Sequence, residues 1–198
     1  LTKASMVNAQ SMDFKKLDAY MDSLAVHNKF MGSLAISKNG QILYTRSVGY
    51  ANMETQQLAN ENTMYRIGSI SKTFTSVMVL KAIEEKKLKL TDLLSTYFPE
   101  VKNAKKISIH NLLNHRSGIH NFTDDESYMN YNTEAKTQAQ MLAIITQAGS
   151  DFEPNTQSAY SNSNYVLLSY ILEKIYKKSY GALLNEKIIK PLNLQRTN

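Results

Sequence analysis

The sequence predicts an α+β fold in which a small N-terminal α/β part precedes a mostly helical region. Three observations support this prediction. An amphipathic helical pattern at about 13–28 is followed by two β-prone segments, and the later apolar patterns have helical spacing almost throughout. The chain has 198 residues, of which 42% are hydrophobic, so it is long enough for one domain with a real core.

The first predicted helix covers about 13–28. Its apolar residues recur at spacings of three and four, as expected for an amphipathic helix: Phe14, Leu17, Tyr20, Met21 and Leu24. Ser11 or Asp13 is expected to cap its N-terminus, because a short polar side chain there accepts a hydrogen bond from a free backbone N–H.

Two β-prone segments at 33–37 and 41–48 follow this helix. Asn39-Gly40 lies between them, and such a dipeptide is the strongest short-range signal for a tight hairpin turn. No further convincing strand is recognisable after Val48, and a lone two-stranded hairpin is only marginally stable in water. The sequence therefore indicates that part of the sheet is absent from this chain.

The remainder of the chain is predicted to be helical. The segment at 69–87 is expected to be a buried helix, because apolar residues surround most of it: Phe74, Val77, Met78, Val79, Leu80, Ala82 and Ile83. Ser108 is expected to cap a helix that runs to His115, with Gly118 beyond its end. Further helices are predicted at 91–97, 137–147, 163–177 and 180–189, of which the first and last end before prolines.

Composition excludes several classes of protein. The chain has no cysteine, which rules out disulfide scaffolds, metal sites built on thiolates, iron–sulfur clusters and cysteine nucleophiles. Its longest apolar runs are only a few residues long, whereas a membrane-spanning helix needs about 20, so no integral membrane segment is predicted. Because the sequence starts at Leu1 without a charged and apolar leader, we expect a processed or trimmed chain.

The net charge of +6 raises the alternative of a basic nucleic-acid-binding protein. Its lysines are concentrated in three separate patches at predicted helix ends, without an aromatic platform between them: 86–89, 102–106 and 174–178. Solvated helix ends explain this distribution, since cations are favourable near the negative end of a helix dipole. We therefore expect no nucleic-acid partner.

The first motif with catalytic potential begins at Ser69 and ends at Lys72, at the start of the predicted buried helix. Positions i and i+3 share a helix face, so the Lys72 ammonium can reach the Ser69 hydroxyl. The bare Ser-x-x-Lys spacing carries no information in a chain this rich in both residues. Its context favours function, because Gly68 precedes the serine and an unpaired lysine on an apolar helix is costly. A capping serine and a lysine that reaches solvent form the alternative.

The second candidate is Tyr160-Ser161-Asn162, just before a predicted helix. A phenol beside a lysine can relay a proton to a leaving group, and an asparagine amide can orient both a lysine and a substrate carbonyl. The same Tyr-x-Asn pattern begins at Tyr50 and at Tyr128, so the pattern alone does not choose among the three.

Together these segments resemble the penicillin-recognising serine hydrolases, in the branch that holds class C β-lactamases, D,D-carboxypeptidases, D-aminopeptidases and related esterases. The resemblance covers about 14–197 in the family's order and spacing, and its clearest segments are YRIGSISKTFTS at 65–76, LLNHRSGI at 112–119, YSNSNY at 160–165 and IIKPLNLQRT at 188–197. It implies a β-lactamase/transpeptidase-like fold. Residues 1–198 would then form a single partial domain, with the N-terminal helix and hairpin at about 1–60 and the helical region at about 61–198.

The resemblance implies roles for four residues. Ser69 is the nucleophile that becomes acylated, Lys72 is its base and Tyr160 is a second proton-transfer group. Asn162 positions Lys72 and the substrate amide, which selects the motif at Tyr160 over the other two. The implied reaction is a two-step acyl transfer in which water or an amine releases the acyl-enzyme, and neither a metal nor a cofactor is implied. His115 is expected to be structural, and a catalytic triad through His115 or His120 is disfavoured.

The chain departs from the family pattern in two places, although its Tyr-Ser-Asn agrees with its own branch and differs only from the Ser-Asp-Asn of the related class A enzymes. Pro154-Asn155 stands where the family usually has Pro-Gly. The third family motif, Lys or His followed by x-Gly on a sheet strand, is expected far beyond Tyr160, and the C-terminal strands that would carry it are absent from this chain. That strand supplies an oxyanion-hole N–H, and loss of one such donor costs roughly 2.7–4 kcal/mol of transition-state stabilisation.

The sequence therefore predicts a serine acyl-hydrolase that acts on a β-lactam, a D-Ala-type peptide or an ester carbonyl. The alternative is a non-catalytic penicillin-binding or sensing module that is acylated without turnover. The expected partner is a small-molecule or cell-wall peptide substrate, and a second chain or a C-terminal fragment could complete the sheet. By resemblance, the expected location is extracytoplasmic, either periplasmic or secreted.

Overall fold

The computed structural model describes residues 13–197, so the candidate cap Ser11 lies outside the described residues. The chain divides into two compact units, Leu1–Arg66 and Ile67–Asn198. The described part of the first unit contains helix α1 (Lys15–Val26) and a hairpin of strands β1 (Gly32–Lys38) and β2 (Gln41–Val48). This order agrees with the prediction from the sequence.

The hairpin is antiparallel and closes at the predicted turn. Its pairing runs from Gly32 opposite Val48 to Lys38 opposite Gln41. Asn39 and Gly40 both have positive φ angles, 51° and 76°, as a two-residue turn between twisted strands requires. Asp13 accepts a hydrogen bond from the backbone N–H of Lys15 at 3.0 Å, so it satisfies one free donor in the first turn of α1.

The prediction of no strand after Val48 is wrong. Strands β3 (Tyr50–Asn52) and β4 (Gln57–Leu58) form a second antiparallel pair in the first unit. They are three and two residues long, and all of their residues are exposed. Because neither strand buries one face, neither shows the alternation of apolar and polar residues by which a strand is recognised in a sequence.

The second unit is mostly helical, as predicted. Its helices are α2 (Ser71–Glu84), α3 (Ile109–Leu113), α4 (Gln138–Ala148), α5 (Asn162–Tyr176) and α6 (Tyr180–Leu184), and α6 continues into a π-helical turn at Asn185–Ile189. Helices α2 and α5 meet in a core whose fully buried members include Met78, Val79, Ala82, Leu167, Leu168, Ile171 and Leu172. This contact brings the start of α2 close to the start of α5.

Three predictions about these helices need correction. Helix α2 is not buried all round, because Val77 and Leu80 are 40% and 55% exposed while the opposite face packs in the core. The predicted helix at 91–97 is only a 3₁₀ turn at Leu94–Thr96, since Leu93 is extended and forms a β-bridge with Ser108. Helix α3 ends at Leu113 rather than at His115, whose φ of 57° is incompatible with a right-handed helix.

The predicted cap of α3 is confirmed. The Ser108 hydroxyl accepts a hydrogen bond from the backbone N–H of Asn111 at 3.3 Å, and the Asn111 side chain accepts one from the backbone N–H of Ser108 at 2.9 Å. This reciprocal pair is a capping box, which satisfies two free donors and fixes where the helix begins. No helix of residues 13–197 is both long and apolar enough to cross a membrane.

Candidate active site

Ser69 and Lys72 lie at the junction between a 3₁₀ turn and helix α2. Ser69 belongs to the turn Gly68–Ile70, and Lys72 is in the first turn of α2. The Lys72 ammonium donates a hydrogen bond to Ser69 Oγ at 3.1 Å. Gly68 has a φ of 53°, in the left-handed region that glycine adopts without strain, so the residue before Ser69 can make the turn.

Tyr160 and Asn162 come to the same place from the start of α5. The Tyr160 hydroxyl lies 2.6 Å from Ser69 Oγ. Asn162 Oδ1 accepts a hydrogen bond from Lys72 Nζ at 2.7 Å and a longer one from the Tyr160 hydroxyl at 3.4 Å. The structure thus brings together all four residues that the sequence singled out, although about 90 positions separate the two pairs.

Tyr160 also packs against the ammonium group. Lys72 Nζ lies 4.7 Å from the centroid of the Tyr160 ring. Burial alone would raise the pKa of the Tyr160 phenol, but the interactions with Lys72 and with the Ser69 hydroxyl lower the pKa by more. A phenol whose pKa is lowered in this way is better suited to exchange a proton with the serine hydroxyl.

His115 packs against the Tyr160 ring and contacts the adjacent backbone. Its Nδ1 accepts a hydrogen bond from the backbone N–H of Ser161 at 3.1 Å, and its ring lies 4.7 Å from the Tyr160 ring, centroid to centroid. Burial lowers the pKa of His115, and the charge of Lys72 lowers it further. The imidazole is therefore held neutral, which leaves Nδ1 free to accept the hydrogen bond. This arrangement agrees with the structural role expected for His115.

His120 lies in a different environment. Its Nδ1 is 2.8 Å from Asp151 and its Nε2 is 3.3 Å from Asp125. The hydrogen bond with Asp151 raises the pKa of His120 against the opposing effect of burial. The backbone carbonyl of His120 also accepts a hydrogen bond from Ser163 Oγ at 2.6 Å, so this residue helps to hold the loop against α5.

Two further residues complete the cluster, and sequence reasoning missed both. Asn121 Oδ1 accepts hydrogen bonds from the backbone N–H of Asn162 at 2.9 Å and from its Nδ2 at 3.1 Å. Thr123 Oγ1 accepts another from the same Nδ2 at 3.0 Å. Both residues lie within four positions of the end of the LLNHRSGI segment, and this proximity is the signal in the sequence that could have drawn attention to them.

An open cleft of about 630 Å³ begins at Ser69 and extends along α5. Beyond the Ser69 cluster its lining includes five aromatic residues: Phe122, Tyr128, Tyr165, Tyr170 and Tyr180. Within residues 13–197, no group of three or more histidine and acidic side chains is placed to hold a metal ion. The cluster therefore places a serine hydroxyl, a lysine amine and a phenol in hydrogen-bond contact beside an open cleft.

Known proteins resemble this chain in sequence and in fold. Teichoic acid D-alanine hydrolase of Staphylococcus aureus is 31% identical over 190 residues, which cover 96% of this chain and 45% of that protein. The crystal structure of FmtA from the same organism has a TM-score of 0.79 and 31% identity, and the match covers 92% of this chain and 49% of that one. A D-stereospecific amidohydrolase from Streptomyces has a TM-score of 0.73 and 28% identity, with 93% and 56% covered.

The family model named Beta-lactamase matches residues 18–198. The chain spans about half the length of the curated relatives it matches. These similarities confirm the predicted β-lactamase-like α+β fold over the described residues. The chain belongs to the β-lactamase family.

Proposed function

We propose that this protein is a serine acyl-hydrolase in which Ser69 forms an acyl-enzyme. The proposal is carried by one observation: Ser69 Oγ lies within hydrogen-bond distance of both Lys72 Nζ, at 3.1 Å, and the Tyr160 hydroxyl, at 2.6 Å. A serine hydroxyl is a weak nucleophile until a neighbouring base removes its proton. Here two such groups contact the same oxygen.

Each residue has a defined role in the proposed reaction. Lys72 acts as the general base: once its ammonium has released a proton to solvent, the amine accepts the Ser69 proton as Oγ attacks the carbonyl carbon, and Tyr160 gives a proton to the departing oxygen or nitrogen. Water then attacks the acyl carbon and gives a proton to Tyr160, which lost its own in the first step, while protonated Lys72 returns its proton to Ser69 Oγ as the bond from carbon to that oxygen breaks. Asn162 holds Lys72 in place throughout.

The proposed substrates are esters or amides of D-alanine. One matched relative is named for hydrolysis of D-alanine from teichoic acid, and one matched structure is a D-stereospecific amidohydrolase. Both names describe removal of a group from an acyl carbon, which is the reaction that the Ser69 cluster would perform. β-Lactams and D-Ala-type cell-wall peptides contain the same kind of carbonyl and serve as the comparison substrates.

We also propose an extracytoplasmic location, because teichoic acid is a polymer of the cell envelope.

A further chain segment or a second chain would supply the third family motif and one N–H of the oxyanion hole. The intact mass of the natural gene product tests this part of the proposal directly.

The chemical test uses the full gene product and an alkyl fluorophosphonate, followed by intact mass spectrometry. We expect one label per chain, none in Ser69→Ala, and full labelling in the control Ser158→Ala, which alters an exposed loop residue. Steady-state release of D-alanine would then establish turnover. A stoichiometric D-alanyl adduct from which no D-alanine is released would instead favour the non-catalytic module. Fluorophosphonate labelling that survives in Ser69→Ala would exclude Ser69 as the nucleophile.

A further inference from the structure

We propose that Asn121 and Thr123 are positioning residues that fix the side-chain amide of Asn162, and that the site consequently favours acyl groups without an acylamido side chain. This inference rests on the proposed acyl-hydrolase function. The atoms of Asn162 that the protein itself leaves unbonded are those available to a substrate. The resemblance to serine hydrolases implied that Asn162 serves both Lys72 and a substrate amide.

The hydrogen-bonding capacity of Asn162 is used up inside the protein. An asparagine amide has two N–H hydrogens and one carbonyl oxygen. One hydrogen goes to Asn121 Oδ1, at 3.1 Å, and the other to Thr123 Oγ1, at 3.0 Å. The oxygen accepts from Lys72 Nζ at 2.7 Å, so no amide hydrogen is left for a substrate carbonyl.

The opposite orientation of this amide is unfavourable. A rotation by 180° would place the Asn162 NH₂ against the Lys72 ammonium, which has only donors, and the oxygen against Asn121 Oδ1. The hydrogen bonds with Lys72 and Asn121 would be lost, and like groups would face each other in a partly buried site. Asn121 and Thr123, which accept the two Asn162 hydrogens, therefore select the orientation in which Asn162 Oδ1 holds Lys72.

Asn121 is itself fixed. It is only 7% exposed, and it immediately precedes the 3₁₀ turn Phe122–Asp124. That turn brings Asp124 back to accept a hydrogen bond from Asn121 Nδ2 at 2.7 Å, and it lets Thr123 Oγ1 donate to Asn121 Oδ1 at 3.1 Å. Because the single Thr123 hydrogen points to Asn121, the hydroxyl oxygen must act as the acceptor for Asn162.

This geometry bears on the substrate class. A D-alanyl ester carries a free ammonium on its α-carbon, whereas an N-acylated peptide or a penicillin carries an acylamide there. The acylamide carbonyl can accept a hydrogen bond from an amide donor in the site, whereas the free ammonium of a D-alanyl group has no acceptor to offer. The closed network around Asn162 thus matches the D-alanyl esters and amides proposed above.

The test compares D-alanyl 4-nitroanilide with N-acetyl-D-alanyl 4-nitroanilide, together with fluorophosphonate labelling of Ser69, in the full gene product. Thr123→Val removes one acceptor without changing side-chain size, and Thr123→Ser keeps the hydroxyl. We expect Thr123→Val to slow labelling and turnover of D-alanyl 4-nitroanilide by roughly tenfold, the equivalent of one hydrogen bond, through kcat rather than KM, and to slow turnover of the acetylated substrate by only about threefold. We expect Thr123→Ser to retain the original rates.

The variant should also change selectivity. Because Thr123 lines the cleft, loss of its hydroxyl frees one Asn162 hydrogen there, and the ratio of kcat/KM for the acetylated over the free substrate should rise roughly threefold. A loss confined to the acetylated substrate, or unchanged labelling in Thr123→Val, would overturn the inference. Asn121→Ala provides a second variant, with its melting temperature recorded alongside. Absence of labelling in the unmodified protein would instead count against the proposed function.

Discussion

The two units of the chain are stabilised in different ways. In the described part of the first unit, Met21 and Val48 are the buried apolar side chains, and large apolar residues such as Val26 and Ile42 are 78% and 70% exposed. The second unit has a continuous apolar core across its helices. It also contains every residue of the candidate active site. Within the described residues, the strands of the first unit are thus accompanied by turn geometry and ion pairs but few buried apolar side chains, whereas the candidate site lies on a packed core.

The largest effect is expected at the reaction itself. Tyr160→Phe removes the hydroxyl that lies 2.6 Å from Ser69 Oγ while the ring can still pack on Lys72 and His115. Loss of a proton-transfer group typically costs 10²–10⁴-fold, so we expect turnover to fall by about that factor. Turnover of D-alanyl 4-nitroanilide measures it, and a loss smaller than about fivefold would exclude Tyr160 from proton transfer.

The next largest effect is expected in the core that supports the site. Leu168 is completely buried on α5. Leu168→Ala should lower the free energy of unfolding by about 2–5 kcal/mol, since it removes buried methyl groups and leaves a cavity. Ile42→Ala, on the exposed hairpin, is the matched control and should change stability by no more than about 0.5 kcal/mol. Chemical denaturation measures both variants. Equal losses in the free energy of unfolding would contradict the contrast between the units.

The two histidines beside the site should have opposite effects on stability. The folded pKa of His115 lies below its ordinary value of 6.5, so the unfolded chain binds a proton first as the pH falls. Its contribution is therefore unfavourable below about pH 6.5. The folded pKa of His120 is raised, so its contribution stabilises the protein below that pH and is lost as the pH rises through the folded pKa.

Variants of each histidine separate these effects. We expect His115→Asn to flatten the loss of stability between about pH 6.5 and pH 5, and His120→Asn to steepen it. Thermal unfolding measured across this range provides the comparison. If the stability of the two variants depended on pH in the same way, the contacts with Asp151 and Asp125 would not stabilise the protonated form of His120.

The candidate site was predictable from the sequence only in part. The contact of Ser69 with Lys72 follows from helical spacing, because positions three apart share one face. The meeting with Tyr160 and Asn162 depends on the packing of α2 on α5, which no local pattern encodes, and only the resemblance to a family indicated it. Asn121 and Thr123 could not be found in this way, since polar residues in a short 3₁₀ turn have no period of their own.

The fold shows the same division. The hairpin and the long helices were predictable because Asn39-Gly40 and the repeated apolar residues are local signals. The exposed side of α2 was not, since Val77 and Leu80 are as apolar as their buried neighbours and only tertiary packing decides which side is covered. The pattern of a sequence thus identifies a helix more reliably than it identifies the face that the helix buries.

The smallest effect is expected at the ion pairs of the first unit. Arg46 on β2 donates hydrogen bonds to Asp18 and Asp22 of α1, and the Tyr44 hydroxyl donates to Asp18 at 2.7 Å. The hydrogen bond from Tyr44 lowers the pKa of Asp18, and the one from Arg46 lowers it further. The carboxylate therefore contributes stability above its unfolded pKa, and this contribution is lost as the pH falls through the lower folded value.

Arg46→Gln should remove much of this contribution near neutral pH and leave a shallower acid transition. Because both partners are partly exposed and screened by solvent, the loss should be smaller than that of Leu168→Ala and should shrink further at high salt. Acid titration of unfolding at two salt concentrations measures both features. A loss as large as that in the core, or one insensitive to salt, would mean that the first unit depends on these contacts as strongly as the second depends on its apolar core.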